Sequence, residues 1–252
     1  MGKFDGVLIC SDFDGTLAWQ TKVGRDNAEA IRFFQENGGK FTIVSGRYPK
    51  SVIEFCGEAV RPNAYICGMN GVCIAEPVTG IPVYESFLDP SAYAFCRKVV
   101  SAFPQIRTFC LHTDRGEICI NAENGVPGSA PESDFSGIYK CLFIVDEADS
   151  DQVSTGIAAM TDGLYTPSRS WINGIEFQKL GEDKGSALMY LKSRLNADVT
   201  YGVGDYENDI PLIEAADVGC AVGNAVGLLR AAADRVLPDC RDGAIAELIY
   251  SI

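Results

Sequence analysis

Asp12 and Asp14 stand one residue apart, directly after the apolar run Val7-Leu8-Ile9-Cys10-Ser11 and before Gly15-Thr16-Leu17. Carboxylates are hard oxygen ligands for a divalent cation, and two held close together can divide nucleophilic and acid–base work between them. Asp-x-Asp also occurs in turns and solvated loops, so the pair gains weight only from what recurs downstream. Ser45 closes a second apolar run, Phe41-Thr42-Ile43-Val44, and leads into Gly46-Arg47. Lys184 sits after Asp183 at the start of a helix-like stretch, 186–195, where a cation is mildly disfavoured, which argues for a purpose other than solvation. The run Val199-Thr200-Tyr201-Gly202-Val203 then delivers Gly204-Asp205-Tyr206-Glu207-Asn208-Asp209. Polar groups thus recur at the ends of apolar runs and at one helix start.

Short runs rich in Val, Leu and Ile that stop abruptly at polar residues read as buried parallel strands, and ligands of open α/β sheets bind at the carboxyl ends of such strands. Between the first two runs, 26–37 has helical periodicity and Gly38-Gly39 ends it. A second helix is predicted over 51–60, stopped by Pro62, and a third strand over 64–67. Strand, helix, strand in this order implies right-handed crossovers in a parallel sheet. From 72 to 179 the character changes. Short alternating segments at 80–84, 107–112, 117–121, 140–145 and 172–178 interleave with helix-like stretches at 92–103 and 151–160. Thr113-Asp114-Arg115-Gly116 has hairpin-loop chemistry, and 125–137, rich in Gly, Pro and Ser, reads as an exposed loop. After 183 the first pattern resumes, with helices at 186–195, 210–216, 225–233 and 243–249 and strands at 199–203, 218–222 and 235–237. The expected architecture is α/β, a Rossmann-like doubly wound parallel sheet core built from 1–71 plus 182–252, with an α+β domain, 72–181, inserted into it.

Composition narrows the function. A chain of 252 residues with 47% hydrophobic and 22% charged residues can bury a sizeable core. A net charge of -13 argues against nucleic acid or an anionic membrane as partner, since both would be repelled. It also opposes long-range attraction of an anionic substrate, so binding one would need a local cation and a few well-placed basic side chains. The ten cysteines, Cys10, Cys67, Cys119, Cys141 and Cys220 among them, are scattered through apolar runs without a Cys-x-x-Cys pair, as expected of reduced, buried thiols. No signal core and no apolar run of spanning length is present, and the expected setting is cytoplasmic.

Asp12-Phe13-Asp14-Gly15-Thr16-Leu17 resembles the first motif of the haloacid dehalogenase-like phosphatases, and the other three parts follow in that family's order: Ser45 at a strand end, Lys184 at a helix start, Asp205 to Asp209 after a strand. Insertion of a domain after the third strand, entered at Met69-Asn70-Gly71, is similar to the C2-type caps of the Cof-like subgroup. Leu212 departs from the Met frequent at that place, and the inserted domain is small for the subgroup, which leaves substrate range more open than chemistry.

The resemblance implies a phosphohydrolase that uses Mg²⁺ and an aspartyl-phosphate intermediate. Asp12 would be the nucleophile and Asp14 the general acid, then base, with Asp12, Asp205 and the Asp14 backbone carbonyl on the metal. Ser45, Gly46, Asn70, Lys184 and Asn208 would contact the phosphate, and Asp209 would support the metal ligands from behind or merely cap the following helix. Arg47 would either reach substrate or pair with an acid. In the inserted domain, His112, Arg115, Arg169 and Trp171 are candidates for a specificity surface that closes over the core, with Gly68 to Gly71 and Gly181 as hinges. Trp171 and Tyr206 could line a sugar site, although such rings usually pack, as a lone His112 usually serves structure. The implied partner is a small phosphorylated metabolite, a sugar, polyol or short-acid phosphate, and the protein a monomer or homodimer. A phosphosugar mutase using the same intermediate, or a binding protein that has kept the fold without turnover, are the alternatives.

Overall fold

The computed structural model of the protein describes residues 2–122 and 136–252. The chain begins with strands β1 (Val7–Ser11), β2 (Ala18–Trp19) and β3 (Lys22–Val23), helix α1 (Arg25–Glu36), β4 (Lys40–Ile43), α2 (Pro49–Cys56), β5 (Ile66–Gly68), β6 (Cys73–Ala75) and β7 (Pro82–Glu85). It continues with α3 (Ala92–Ala102), β8 (Thr108–Thr113), β9 (Gly116–Asn121), β10 (Ile138–Ile144), α4 (Glu147–Thr161), β11 (Tyr165–Trp171) and β12 (Gly174–Lys179). The last part carries α5 (Lys184–Leu195), β13 (Val199–Gly204), α6 (Ile210–Ala215), β14 (Val218–Ala221), α7 (Gly227–Ala232), β15 (Arg235–Val236) and α8 (Ala244–Tyr250). These elements form two compact units, Met1–Tyr84 with Asp183–Ile252, and Glu85–Glu182.

In the first unit a parallel sheet runs β15-β14-β13-β1-β4. Strand β1 lies between β13 and β4, and Leu8, Ile9 and Cys10 are all fully buried, as the unbroken apolar run requires of a strand covered on both faces. Alternation sends Ile9 to one side, into a core with Ile31 and Phe34 of α1 and Ile245 and Leu248 of α8. Leu8 and Cys10 go to the other, with Leu188 and Leu191 of α5 and Leu212 of α6. Helices therefore cover both faces. Asn27 of α1 ties the first of these layers together by accepting the Ala246 N–H with its side-chain oxygen at 3.0 Å.

The third strand of the sequence reading, β5, touches the parallel sheet through the single bridge Val44↔Cys67 and otherwise pairs antiparallel with β6, in a small sheet with β7. Residues 68–71 are buried within this unit, where the Met69 and Asn70 N–H groups donate to the Arg47 and Ser45 carbonyls. The junctions between the units fall instead at Tyr84/Glu85 and Glu182/Asp183. Strand β6 has no alternation because Cys73, Ile74 and Ala75 are all buried, and a period-two reading passes over it.

The second unit is an antiparallel sheet in the order β11-β12-β10-β8-β9. One face, with Phe109, Leu111, Cys141, Phe143, Ile175 and Phe177, packs on Tyr93, Cys96 and Val99 of α3 and Val153 and Ile157 of α4. The opposite face is polar and holds a buried ion pair, Lys140 Nζ to Glu176 Oε1 at 2.6 Å. The predicted strand 172–178 is in fact the second arm of a hairpin, β11 and β12 joined at Ile172-Asn173. Pro167 hid its first arm; it is tolerated because β11 is an edge strand. The loop expected at 125–137 lies outside the described residues as far as 135.

The thiol reading is corrected at one point. Cys119 is exposed and bonded to Cys110 in a disulfide, whereas Cys10, Cys67, Cys141 and Cys220 are free and buried. Cys110 and Cys119 face each other across the β8–β9 ladder, a proximity that spacing along the chain does not reveal. Among the described residues no helix is long and apolar enough to cross a membrane.

Candidate active site

Three neighbouring parallel strands end together. The Asp12 N–H donates to the Val203 carbonyl at 2.8 Å and the Val44 N–H to the Ser11 carbonyl at 2.9 Å, so the ladder persists just past β1 and β4. Asp12, Ser45 and Asp205 consequently leave one carboxyl edge of the first unit's sheet. Lys184 reaches the same place from the first turn of α5, which begins there because the Asp183 carboxylate accepts the Ser186 N–H while the Ser186 hydroxyl bonds the Asp183 N–H in return.

The buried Lys184 ammonium donates to Asp12 Oδ1 at 2.7 Å and to Asp209 Oδ1 at 2.5 Å. Asp209 is itself fully buried, and its other oxygen accepts the Asp205 and Tyr206 N–H groups at 3.0 and 3.1 Å. Both oxygens of Asp209 are thus committed to holding Lys184 and the loop after β13. Gly204 permits this fold-back, since a Cβ there would lie 2.3 Å from the Cβ of Asp209. Asp205 Oδ1 accepts the Thr16 hydroxyl at 2.8 Å.

Carboxylate oxygens of Asp12, Asp205 and Asp209 all lie within 4.8 Å of one another. Three carboxyl groups around one ammonium leave a charge imbalance in a dry setting. Burial, above all, pushes the Asp12 carboxyl well up, against the pull of Lys184. Burial and then the nearby Asp209 charge push Asp205 up to about 7. Burial pulls the Lys184 ammonium down, but Asp12 and Asp209 outweigh it and leave it raised. A hard divalent cation is the natural counter-charge for such an oxygen cluster, and the donor set fits one.

Asp14 faces elsewhere. Arg47 grips its carboxylate with both edges of the fork, Nε to Oδ2 at 2.5 Å and Nη2 to Oδ1 at 2.8 Å. Of the two roles considered for Arg47, this structure shows the pairing with an acid. The Ser45 hydroxyl accepts the Arg47 N–H at 3.2 Å, with Gly46 between them. Asn70, in a left-handed conformation (φ 58°), donates its N–H to the Ser45 carbonyl at 3.0 Å and accepts from the Asn208 side chain at 3.2 Å. The residues singled out in the first unit therefore fall mainly into two hydrogen-bonded groups: Asp12, Lys184, Asp205 and Asp209; and Asp14, Arg47, Ser45, Asn70 and Asn208, joined through Ser45. Those singled out in the inserted domain belong to the second unit, where Arg169 pairs with Asp151 of α4 at 2.8 Å and His112 faces Glu117.

Three contributors escaped the sequence reading. Thr16 holds Asp205, as above. Gly15 (φ +79°) lets that carboxylate approach, because a Cβ there would meet Asp205 Oδ2 at 2.5 Å. Asn224 pins the same loop by donating to the Gly15 carbonyl at 2.8 Å while accepting the Cys240 N–H at 2.9 Å. Gly15-Thr16 was in view as part of the acidic motif. Asn224, 209 residues along the chain from Gly15, carries no local signal.

A family model described as haloacid dehalogenase-like hydrolase matches residues 9–249. Among curated relatives, the 5-amino-6-(5-phospho-D-ribitylamino)uracil phosphatase of Bacillus subtilis (strain 168) is 22% identical over 261 residues, covering 97% of this chain and 95% of the relative. A phosphoglycolate phosphatase of Sulfolobus acidocaldarius is 26% identical over 255 residues, covering 97% and 96%. Among solved structures, a haloacid dehalogenase-like hydrolase from B. subtilis superposes with a TM-score of 0.82 at 20% identity, over 97% of this chain and 99% of the other.

Proposed function

We propose that this chain, which belongs to the haloacid dehalogenase-like hydrolase family and is a phosphoric monoester hydrolase, releases phosphate from a small sugar, polyol or short-acid phosphate with Mg²⁺ as its metal. The observation that carries the reading is the clustering of Asp12, Asp205 and Asp209 at one parallel-sheet edge, with Lys184 on Asp12 and Asp209. The full-length relatives, one a phosphatase of a ribityl phosphate and the other of phosphoglycolate, support the substrate class.

A phosphate monoester is a dianion that repels a carboxylate, so local positive charge must precede attack. Asp12 and Asp205, with the Asp14 backbone carbonyl, would hold the cation, since Asp209 already spends both oxygens on hydrogen bonds. When bound, the cation neutralises the phosphoryl oxygens and aligns them with the nucleophile. Asp12 attacks phosphorus and the bond to the leaving oxygen breaks, giving an aspartyl-phosphate. Asp14 protonates the departing alkoxide, then takes a proton from the water that hydrolyses the intermediate. For that it must leave the fork of Arg47. The Ser45 hydroxyl and Gly46 N–H donate to the phosphoryl oxygens, and Lys184 adds fixed positive charge beside them.

The test is phosphate release across sugar, polyol and short-acid phosphates, with Mg²⁺ and with chelator, for the wild type and Asp12→Asn. Turnover that needs both the metal and Asp12 is expected. Release unaffected by Asp12→Asn, or binding of these esters without any release, would overturn the proposal.

A further inference from the structure

The described residues hold a second group of metal-ligating side chains, Cys110, Glu117 and Cys119, whose ligand atoms also lie within 4.8 Å of one another. On the β8–β9 ladder Cys110 is opposite Cys119 and His112 opposite Glu117. Residues two apart on a strand share a face, so Cys-x-His on one strand meets Glu-x-Cys on the next. His112 adjoins this group without belonging to it: its Nε2 lies 3.5 Å from Glu117 Oε1, outside the mutual 4.8 Å of the other three, so it completes a four-ligand site only by swinging toward the sulfurs. The sulfurs of Cys110 and Cys119 are bonded to each other.

We propose that this hairpin is a thiol-gated zinc site: with the Cys110–Cys119 bond reduced, both thiolates, the His112 imidazole and the Glu117 carboxylate take one Zn²⁺, and re-forming the bond expels it. Two soft sulfurs, one imidazole and one carboxylate are the donor types of a tetrahedral Zn²⁺ site and suit Mg²⁺ poorly. Cys110 is buried while Glu117 and Cys119 are exposed, so the site is walled on one side and open to an arriving ion on the other. Among the described residues, strand β9 is an edge whose ladder partner is β8. It can therefore move the ~2 Å that takes two sulfurs from bonded contact to the roughly 3.8 Å between ligands of one tetrahedral ion. Lys140, opposite His112 on β10, donates to Glu176 at 2.6 Å, which offsets part of its charge beside the site.

The exchange balances in both directions. A dithiol gives two electrons and two protons to the sulfur–sulfur bond and departs as its own disulfide, and in the reverse step a disulfide of that class takes two electrons from the Cys110 and Cys119 thiolates and two protons from water, returning to dithiol as the protein bond re-forms and Zn²⁺ leaves. Zn²⁺ then displaces the two thiol protons.

Full-length protein, reduced anaerobically and freed of reductant, is titrated with Co²⁺ as a spectroscopic substitute and then with Zn²⁺. One equivalent of Co²⁺ should give a thiolate-to-metal charge-transfer band that Zn²⁺ bleaches, and oxidised protein should give none. Cys119→Ser, at an exposed position, should abolish the band. His112→Gln and Glu117→Gln should each weaken Zn²⁺ by about tenfold or more. Asp12→Asn should leave the band intact, which separates this site from the carboxylate cluster of the first unit. Absence of a band in the reduced protein, its persistence in Cys119→Ser or in oxidised protein, its loss in Asp12→Asn, or unchanged Zn²⁺ affinity in both Gln variants would overturn the assignment.

Discussion

Arg47 holds both carboxylate oxygens of Asp14, at 2.5 and 2.8 Å, and so occupies the group that the proposed chemistry requires as proton donor. The pair is partly exposed, with side chains 36% and 45% accessible, so it contributes only about 0–1 kcal/mol to stability. Its value would lie in fixing the position of Asp14 until substrate draws Arg47 away. Arg47→Gln should leave the unfolding midpoint within a few degrees of wild type while lowering kcat/KM about tenfold. Thermal melts and steady-state phosphate release check this together; a large stability loss with unchanged turnover would assign the pair a structural role instead.

Among the described residues, Lys184 is the ammonium hydrogen-bonded to the buried carboxylates Asp12 and Asp209. Lys184→Met strands two negative charges in the interior, at a cost of about 3–5 kcal/mol. The cost is full where Asp12 is ionised and shrinks as pH falls and this carboxyl, raised chiefly by burial, takes up its proton. Wild-type Lys184, with its ammonium form favoured by folding, contributes throughout this range, because its stabilisation is lost only above the ordinary lysine value. Urea unfolding in chelator should therefore show a larger deficit at about pH 8 than at about pH 5, alongside loss of turnover. An equal deficit at both would refute the electrostatic account.

Asp12→Asn should separate stability from activity. It removes a carboxylate whose charged form burial disfavours and leaves Lys184 paired with Asp209. In chelator at neutral pH the variant should unfold at or above the wild-type denaturant midpoint, although turnover is abolished. A midpoint well below wild type would show that the Asp12–Lys184 contact outweighs the desolvation of Asp12.

The acidic motif, Ser45, Lys184 and Asp205 to Asp209 were legible because each lies directly after a strand or at a helix start, where local sequence marks the element. The core elements were legible for the same reason, as their runs are unbroken and their helices periodic. Contacts that depend on distant chain segments were not: Asn224 on the Gly15 carbonyl and Cys110 opposite Cys119 are set by tertiary approach and ladder register. Strand β11 lies between these cases: Pro167 breaks the strand pattern along it, whereas Asn173-Gly174 at its end has the chemistry of a hairpin turn.

Gly15→Ala tests the loop that seats Asp205. The glycine has φ +79°, and an added methyl would press on Asp205 Oδ2. The strain should cost about 1–2 kcal/mol, and displacement of the carboxylate should raise the Mg²⁺ concentration needed for half-maximal turnover. Thr16→Val, which removes only the hydroxyl on Asp205 Oδ1, should do the same more mildly. Metal titrations of activity measure both; unchanged Mg²⁺ dependence in Gly15→Ala would remove Asp205 from the ligand set.

Asp205 gives the metal-free protein a distinctive pH dependence. Its carboxyl is raised to about 7, chiefly by burial and then by Asp209, from the ordinary value of about 3.9 in the unfolded chain. The folded state thus holds this proton more tightly than the unfolded state. The resulting stabilisation is complete below about pH 4 and is lost as pH rises through about 7. Many other carboxylates titrate below pH 5, so the difference between wild type and Asp205→Asn isolates the contribution: in chelator, wild type should lose stability relative to the variant on going from about pH 5 to about pH 8. Mg²⁺ binds the ionised oxygens and should oppose the trend, stabilising wild type more at the higher pH and the Asn variant little at either. Denaturant unfolding of both proteins at the two pH values, with Mg²⁺ and with chelator, measures all of these differences. Parallel pH dependences in wild type and Asp205→Asn would mean that Asp205 ionises in the fold as it does in water, and that the acidic cluster is hydrated rather than primed for a cation.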